Sequence, residues 1–265
     1  MSRITAEPAP LRHGEAAPVV AKPSSAFSAS AALAGLDPER KRVLRPPITD
    51  KRFYVRRRLT RCILDQCEAY RDELEGATLI DYGCGSMPYR PLFERYVSRY
   101  VGVDLACNEA AEAKLDEAGR MDLPDASADI VISTQVLEHV DDPRTYLAEA
   151  FRVLKPGGLL LLSTHGIWWY HPHPQDLWRW TGEGLHRLLA ASGFEPIERR
   201  GVMNLAATGV YLFQDGLYGR LPRKGPWRPA LFACMQPLAA LADRVGVQRR
   251  DNMAAVFVTV SRKPG

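Results

Sequence analysis

The chain has 265 residues, 46% of them hydrophobic, and a formal net charge of +4 at pH 7. This length allows one large domain, or one domain with a tail, and the hydrophobic content suffices for a sizeable core. So small a net charge does not favour nucleic acid as a partner of the whole protein.

The cysteines and the apolar runs bear on where the protein works. Five cysteines without a C-x-x-C pair fit neither a disulfide framework nor a zinc site, which favours a reducing cytosol. The sequence has no apolar run of the roughly 18 residues that a spanning helix needs, and its N-terminus lacks an apolar signal core. We therefore expect a cytoplasmic protein.

The first part of the chain differs in composition from the rest. Residues 1–45 contain several prolines and no apolar periodicity, which predicts a flexible tail without a fold of its own. Residues 40–61 carry ten Lys or Arg against one acid, and residues 220–250 carry seven against one. Such runs indicate a solvated surface, with an anionic substrate or a membrane surface as the alternatives.

Periodic structure begins at Phe53. Apolar residues recur there at three- and four-residue steps, which predicts a helix that ends at Gly76. Helices are also predicted at residues 89–97 and 105–119, between short strands. The predicted strands of this half are residues 77–80, 99–104 and 129–133, and residues 120–123 are a brief third strand or its exit.

The second half continues the alternation of helices and strands. Asp142 begins a helix with Pro143 in its first turn, and an apolar strand follows at residues 159–162. Thr181 caps the next helix. The remaining predicted elements are a strand at 194–202, helices at 204–218 and 229–245, and a last strand at 254–260. This alternation predicts an α/β fold with a mostly parallel sheet.

Polar residues follow the ends of the predicted strands, where parallel sheets bind their ligands. They are Asp81 with Gly83 and Gly85, then Asp104, Asp122, Thr134 and Gln135. A carboxylate just before the glycines would repel a phosphate, so Asp81 favours a cationic, nucleoside-containing ligand. Asp104 is placed to accept ribose hydroxyls, and Asp122 to accept an adenine amino hydrogen.

These motifs resemble those of the class I S-adenosylmethionine-dependent methyltransferases with a D-x-G-C-G first motif. Residues 79–85 (LIDYGCG) resemble the first motif, and residues 129–139 and 152–158 resemble the later ones. The resemblance implies a Rossmann-like three-layer sandwich whose seventh strand is antiparallel, with S-adenosyl-L-methionine as cofactor. The implied cofactor-binding residues are Asp81, Tyr82, Gly83, Cys84, Gly85, Asp104, Leu105, Asp122, Leu123, Thr134 and Gln135.

The resemblance also divides the chain into a methyltransferase domain at 46–265, with a cofactor half at 77–164, an acceptor loop at 165–181 and a helical insert at 203–250. The loop is rich in His, Pro and Trp. Its candidates for a general base are His165, His171, His173 and Asp176, joined by His139, because imidazole titrates near neutral pH. The alternative is a packed lid, and no zinc signature justifies a metal site.

The function predicted from these residues is O-methylation of a small molecule or glycan. The insert would shape the acceptor pocket, form a dimer contact or touch a lipid surface, with core packing as the alternative. An NAD(P)-dependent oxidoreductase is an alternative enzyme, but Pro88 stands where a dinucleotide site has its third glycine. A non-catalytic binding subunit of the same fold is the other alternative. No nucleic-acid acceptor is expected, since an amino-methylating motif is missing at 133–135.

Overall fold

The computed structural model describes residues 36–172, 174–246 and 252–265. Most of the predicted tail therefore lies outside the described residues. Helix α1 (Pro38–Leu44) nevertheless falls within the segment predicted as tail, and its first turn is capped by the Asp37 side chain. Leu44 at its end is buried in the core, so the folded part of the chain includes residues before the predicted boundary at residue 46.

The described elements alternate along the chain as the sequence predicts. After α1 they are α2 (Phe53–Ala69), α3 (Arg71–Leu74), β1 (Thr78–Tyr82), α4 (Arg90–Phe93), β2 (Arg99–Leu105), β3 (Ala113–Leu115), β4 (Ala128–Thr134), α5 (Pro143–Val153), β5 (Leu154–His165), α6 (Gly182–Ala191), β6 (Glu195–Val202), α7 (Leu205–Tyr218), α8 (Trp227–Val245) and β7 (Val256–Arg262).

The strands form one sheet in the order β3-β2-β1-β4-β5-β7-β6. Strands β1 to β5 pair in parallel, and β7 runs antiparallel between β5 and β6. One apolar layer includes Leu59 of α2 and Tyr211 of α7, and the opposite layer includes Leu147 of α5 and Leu185 of α6. The sheet is thus covered on both faces, which confirms the three-layer Rossmann-like architecture with an antiparallel last strand.

Between β2 and β4 the predicted helix is wrong, and the predicted third strand lies elsewhere. Residues 105–119 do not form a helix, because the chain turns and then adds β3 to the edge of the sheet beside β2. The segment has no apolar face to bury as a helix, and the Asn108 side chain instead bonds back to the Gly85 carbonyl. Residues 120–123 do not form the third strand but follow it, which leaves the alternative of a strand exit: of the four, only Met121 pairs, in a single antiparallel bridge to Leu115.

The helical insert consists of α7 and α8, which pack against each other and against α2. Asn204 caps α7 through its side chain, and Pro237 lies inside α8. Among the described residues, helices that are both long and apolar enough to cross a bilayer are absent.

Candidate active site

A cavity of about 920 Å³ opens where β1, β2 and β4 reach their carboxyl ends. This lies within the usual range of small-molecule sites, roughly 300 to 1,000 Å³. Its walls come from two parts of the chain: the strand ends of the cofactor half, and an opposite group made of residues before and within α2 together with the acceptor loop.

The glycine turn after β1 forms part of the cavity wall. Gly83 and Gly85 both have positive φ, at 74° and 52°. A Cβ on Gly83 would lie 2.6 Å from Val136 Cγ2, whereas a Cβ on Gly85 would meet no atom within 4 Å. Gly83 is therefore needed for packing beneath the turn, and the space beside Gly85 is open to a ligand.

Asp104 lies at the end of β2, as predicted, and is held by three donors. The Gly85 amide and the Asn108 side-chain amide donate to its Oδ2 at 2.8 Å each. Its Oδ1 accepts from the Leu105 amide at 2.8 Å. The carboxylate is thereby fixed at the cavity wall, which Leu105 also lines.

Asp81 lies behind the glycine turn and is only 1% exposed. Tyr100 donates its hydroxyl hydrogen to Asp81 Oδ2 at 2.5 Å, while Oδ1 is buried without a hydrogen-bond partner. Burial raises the pKa of Asp81 to about 7, although the bond from Tyr100 opposes that shift. Tyr82 and Gly83 line the cavity, and Cys84 is buried beneath it.

The structure does not bring every predicted cofactor residue to the cavity. Asp122 is exposed and Leu123 is half-buried, and the lining takes Asp116 and Gly119 from this segment instead. The reason is the position of β3: because this strand ends at Leu115, its carboxyl end points to Asp116.

Of the two residues predicted after β4, only one reaches the cavity. Gln135 lines the cavity with a φ of 60°, and its side-chain amide donates to Ser163 Oγ at 3.0 Å. Thr134 is half-buried and lies outside the described lining of the cavity. The turn after β4 therefore presents one of the two predicted residues to a ligand.

Three imidazoles meet at the other wall of the cavity. The ring centroids of His139, His165 and His171 are 6.0 to 6.4 Å apart. The buried carboxyl of Glu138 lies among them, with Oε1 at 3.3 Å from His165 Nδ1 and 4.0 Å from His139 Nε2. No metal-binding group of side chains occurs among the described residues.

Burial and contacts determine the protonation of this cluster. Burial raises the pKa of Glu138 to about 7, against the hydrogen bond that Thr164 donates at 2.9 Å. Burial also lowers the pKa of His165 to about 3, so this ring is neutral. His139 Nδ1 contacts the carbonyl oxygen of Gln175. Because a carbonyl can only accept, Nδ1 carries the hydrogen and Nε2 is the basic nitrogen of the neutral ring.

Asp176 is unsuited to the role of general base that the sequence predicts. Arg179 donates to both of its carboxylate oxygens at 2.5 Å, and the His171 amide donates to Oδ2 at 2.6 Å. These bonds lower the pKa of Asp176 to about 2, with the Arg179 contact as the largest cause. Asp176 therefore orders the loop, while His171 lines the cavity. His173 lies outside the described residues.

Several lining residues were not predicted as site residues. Glu138 and the pair Lys51–Arg52 line the cavity, beside His165, which the sequence already offers as a possible base. The sequence signal for the pair was the basic composition of residues 40–61, which the prediction assigned chiefly to solvated surface.

The chain is similar to known methyltransferases. A family model described as a methyltransferase domain matches residues 52–199. A protein of Mycolicibacterium smegmatis named "Probable S-adenosylmethionine-dependent methyltransferase" is 29% identical over 177 residues, which are 60% of this chain and 66% of that protein. The ubiquinone biosynthesis O-methyltransferase of Cereibacter sphaeroides is 29% identical over 159 residues, 49% of this chain and 64% of that protein.

The alignments thus span slightly less than two thirds of the length of these curated relatives. Among solved structures, a Galdieria sulphuraria protein assigned as a sarcosine dimethylglycine methyltransferase superposes with a TM-score of 0.51 at 17% identity. It covers 78% of this chain and 86% of its own. At that identity the likeness concerns the fold.

Proposed function

This chain belongs to the class I S-adenosylmethionine-dependent methyltransferases, and we propose that it methylates a hydroxyl oxygen of a small molecule or glycan. The observation that carries the proposal is the position of His139, whose Nδ1 contacts a carbonyl and whose ring lines the same cavity as the glycine turn. The family membership replaces the NAD(P)-dependent oxidoreductase alternative. The relatives named as O-methyltransferases support an oxygen acceptor.

The cofactor half has features that fit S-adenosylmethionine. The open space beside Gly85 allows a ligand to approach the backbone, and Asp104 is a carboxylate of the kind that accepts ribose hydroxyls. Asp81 Oδ1 is a buried acceptor without a partner, which favours a positively charged ligand nearby. When bound, the cofactor supplies a methyl group on a positively charged sulfur.

The cavity wall that carries the three imidazoles would supply the base. A hydroxyl with a high pKa must lose its proton for its oxygen to become a good nucleophile. His139 Nε2 would take that proton, and the ring would become a cation. The Glu138 carboxyl, whose Oε1 lies 4.0 Å from Nε2, would stabilise the cation. The walls of the cavity would align the oxygen and exclude water.

The experiment is a product analysis with methyl-labelled S-adenosylmethionine. The enzyme is incubated with phenols and glycans whose hydroxyls are free, and with the same compounds carrying blocked hydroxyls. We expect label on oxygen in the free compounds only. A label confined to nitrogen, sulfur or carbon would contradict the proposal. Binding of S-adenosylhomocysteine without any labelled product would support the non-catalytic binding subunit.

We also propose that α7 and α8 contact the surface of an anionic bilayer. Both helices carry exposed apolar residues at helical spacing. On α7 they include Leu212 and Phe213, which is 60% exposed, and on α8 Leu238, Leu241 and Val245, which is 76% exposed. An apolar helix face of this kind can lie in the interface of a bilayer.

The charges around this apolar face favour lipid over a second copy of the chain. Arg220, Arg223 and Lys224 are exposed in the turn between the helices. The two acids of residues 205–246 point inward: Asp215 pairs with Arg52, and Asp243 is buried. The exposed charge is therefore positive, which would repel an identical face and attract anionic headgroups.

A further inference from the structure

We propose that the methyl acceptor is an anion whose carboxylate or phosphate binds Lys51 and Arg52. The proposal rests on the function proposed above and names the chemical class of the acceptor. Both residues immediately precede α2 and line the cavity that also contains His139.

Arg52 offers an unused hydrogen-bond donor inside the protein. Its side chain is buried, with the residue only 5% exposed, and Nη1 donates to Asp215 Oδ2 at 3.0 Å. Nη2 is buried without a hydrogen-bond partner. A buried donor left unpaired is destabilising, and more so when it belongs to a charged group. An acceptor oxygen in the cavity would remove that cost.

The charges beside Arg52 do not balance without a ligand. Three cations, Lys51, Arg52 and Arg56, line this wall, and two carboxylates pair with them, Asp215 with Arg52 and Asp50 with Arg56. One positive charge therefore remains. The unpaired cation is Lys51: among the described residues, no carboxylate lies within 4.0 Å of its Nζ. Burial also lowers the pKa of Lys51.

Aromatic and apolar side chains surround these cations. Lys51 Nζ lies 5.4 Å from the ring centroid of Trp169 and 5.2 Å from that of Tyr218. Trp168 and Trp169 line the cavity, and Val55 and Leu59 of α2 line it one and two turns further along. Low exposure to water strengthens an ion pair at this position. The acceptor class is therefore an apolar, flat body with one anionic group.

Acidic residues of the cavity lie away from Lys51 and Arg52, and this separation would orient the acceptor. Asp104, Asp116 and Glu138 all line the cavity from the strand ends. An anionic group would be repelled from these residues and attracted to the wall before α2. A hydroxyl elsewhere on the same molecule could then reach the imidazole wall.

Calorimetry with the enzyme saturated with S-adenosylhomocysteine tests the proposal. The probes are two pairs that differ in charge: caffeate against its neutral amide, and phenyl phosphate against phenol. We expect the anion of at least one pair to bind tenfold tighter than its neutral partner, and the pair that shows this identifies carboxylate or phosphate as the group. Equal affinity within both pairs, or no binding of either anion at millimolar concentration, would overturn the proposal. Failure to bind S-adenosylhomocysteine would instead count against the proposed function.

Variants locate the effect. Lys51→Gln should lose most of the preference for the anion and keep the affinity for S-adenosylhomocysteine. Arg52→Lys keeps the charge opposite Asp215 and removes the unpaired nitrogen, so a partial loss is expected. Arg187→Gln removes one positive charge from the exposed face of α6 and should behave as wild type. If Lys51→Gln and Arg52→Lys both keep the wild-type preference, the proposal is wrong.

Discussion

The hydroxyl of Tyr100 on β2 donates a hydrogen bond of 2.5 Å to the buried carboxylate of Asp81 on β1. The two strands are parallel neighbours, with Asp81 in register with Gly102 two residues beyond the tyrosine. The bond holds Oδ2 and leaves Oδ1 without a partner. The acid of the first motif is therefore positioned by a residue from the next strand, and its charge depends on that residue.

Tyr100→Phe should weaken the binding of S-adenosylmethionine at neutral pH. The hydrogen bond from Tyr100 lowers the pKa of Asp81, so its loss raises that pKa further and leaves less of the anion. We expect a loss of about tenfold at pH 7, on the order of 1.4 kcal/mol, which diminishes as the pH rises. Calorimetry between pH 6 and 9 measures it. Tyr96→Phe, which removes a hydroxyl bonded to Glu68, is the control. Equal affinity of Tyr100→Phe and wild type at every pH would refute this account of Asp81.

Asp104→Ala and Asp122→Ala should separate the two predicted strand-end acids. Asp104 lines the cavity and organises the glycine turn through its bond from Gly85, so its loss should weaken S-adenosylhomocysteine binding by tenfold or more, about 1.4 kcal/mol. Asp122 is exposed, and its replacement should change the affinity by less than about twofold. Titration calorimetry on both variants decides the matter. A large effect at Asp122 would restore its predicted role at the adenine.

Much of the cofactor half could be predicted because its signals are local. Apolar, β-branched runs predict β1, β2 and β4 within about two residues, and the acids at the ends of β1 and β2 mark the positions of Gly83, Gly85 and Asp104. β3 has only three residues and no periodicity, so its end could not be found from the pattern. The acid that follows β3 and lines the cavity is consequently Asp116 and not Asp122.

The cavity wall that faces the strand ends depends on contacts between distant residues, which a pattern along the chain does not reveal. The ion pair between Arg52 and Asp215 joins positions 163 apart. Asp176 and Arg179 are only three residues apart, but only the structure shows that the arginine binds both carboxylate oxygens. Glu138 could not be predicted as a site residue, because only the structure shows that its carboxyl is buried among the imidazoles.

His139→Gln should lower turnover without changing cofactor affinity. The glutamine can still contact the Gln175 carbonyl but cannot take a proton at neutral pH. General-base catalysis typically contributes 10²- to 10⁴-fold, so we expect a fall in kcat of that order. The loss should be smaller for acceptors whose hydroxyl is already ionised at the assay pH. His186→Gln on α6 is the matched control. Unchanged kcat in His139→Gln would remove this residue as the base.

Leu241→Glu should weaken binding to anionic vesicles. The substitution places a negative charge on the exposed apolar face of α8, where a lipid headgroup layer would meet it. Cosedimentation with vesicles that contain phosphatidylglycerol should fall severalfold, and neutral phosphatidylcholine vesicles should bind wild type weakly. Glu183→Gln on the exposed part of α6 serves as the control. Equal binding of Leu241→Glu and wild type would contradict the bilayer proposal. A monomer in place of a wild-type dimer would instead indicate contact between two copies.

Asp81→Asn should change the pH dependence of stability with a definite sign. The pKa of Asp81 is about 7 in the folded protein and about 3.9 in an unfolded chain. Below pH 4 the carboxyl is protonated in both states. Between pH 4 and 7 only the folded state retains the proton, so the stability that this group contributes is lost as the pH rises. Asparagine does not ionise. Between pH 4 and 8 the free energy of unfolding of the variant should therefore rise, relative to that of wild type, by a few kcal/mol.

Urea unfolding of the cofactor-free proteins across this pH range measures the difference in the free energy of unfolding. For Asp129→Asn the variant should instead be the less stable protein at neutral pH, because Lys155 and the Thr78 amide hold the pKa of Asp129 below its usual value. Its stability contribution is present above the unfolded pKa and is lost as the pH falls. If the difference in unfolding free energy between Asp81→Asn and wild type stayed constant with pH, the raised pKa of Asp81 would be wrong, and with it the account of how Tyr100 controls the charge of this residue.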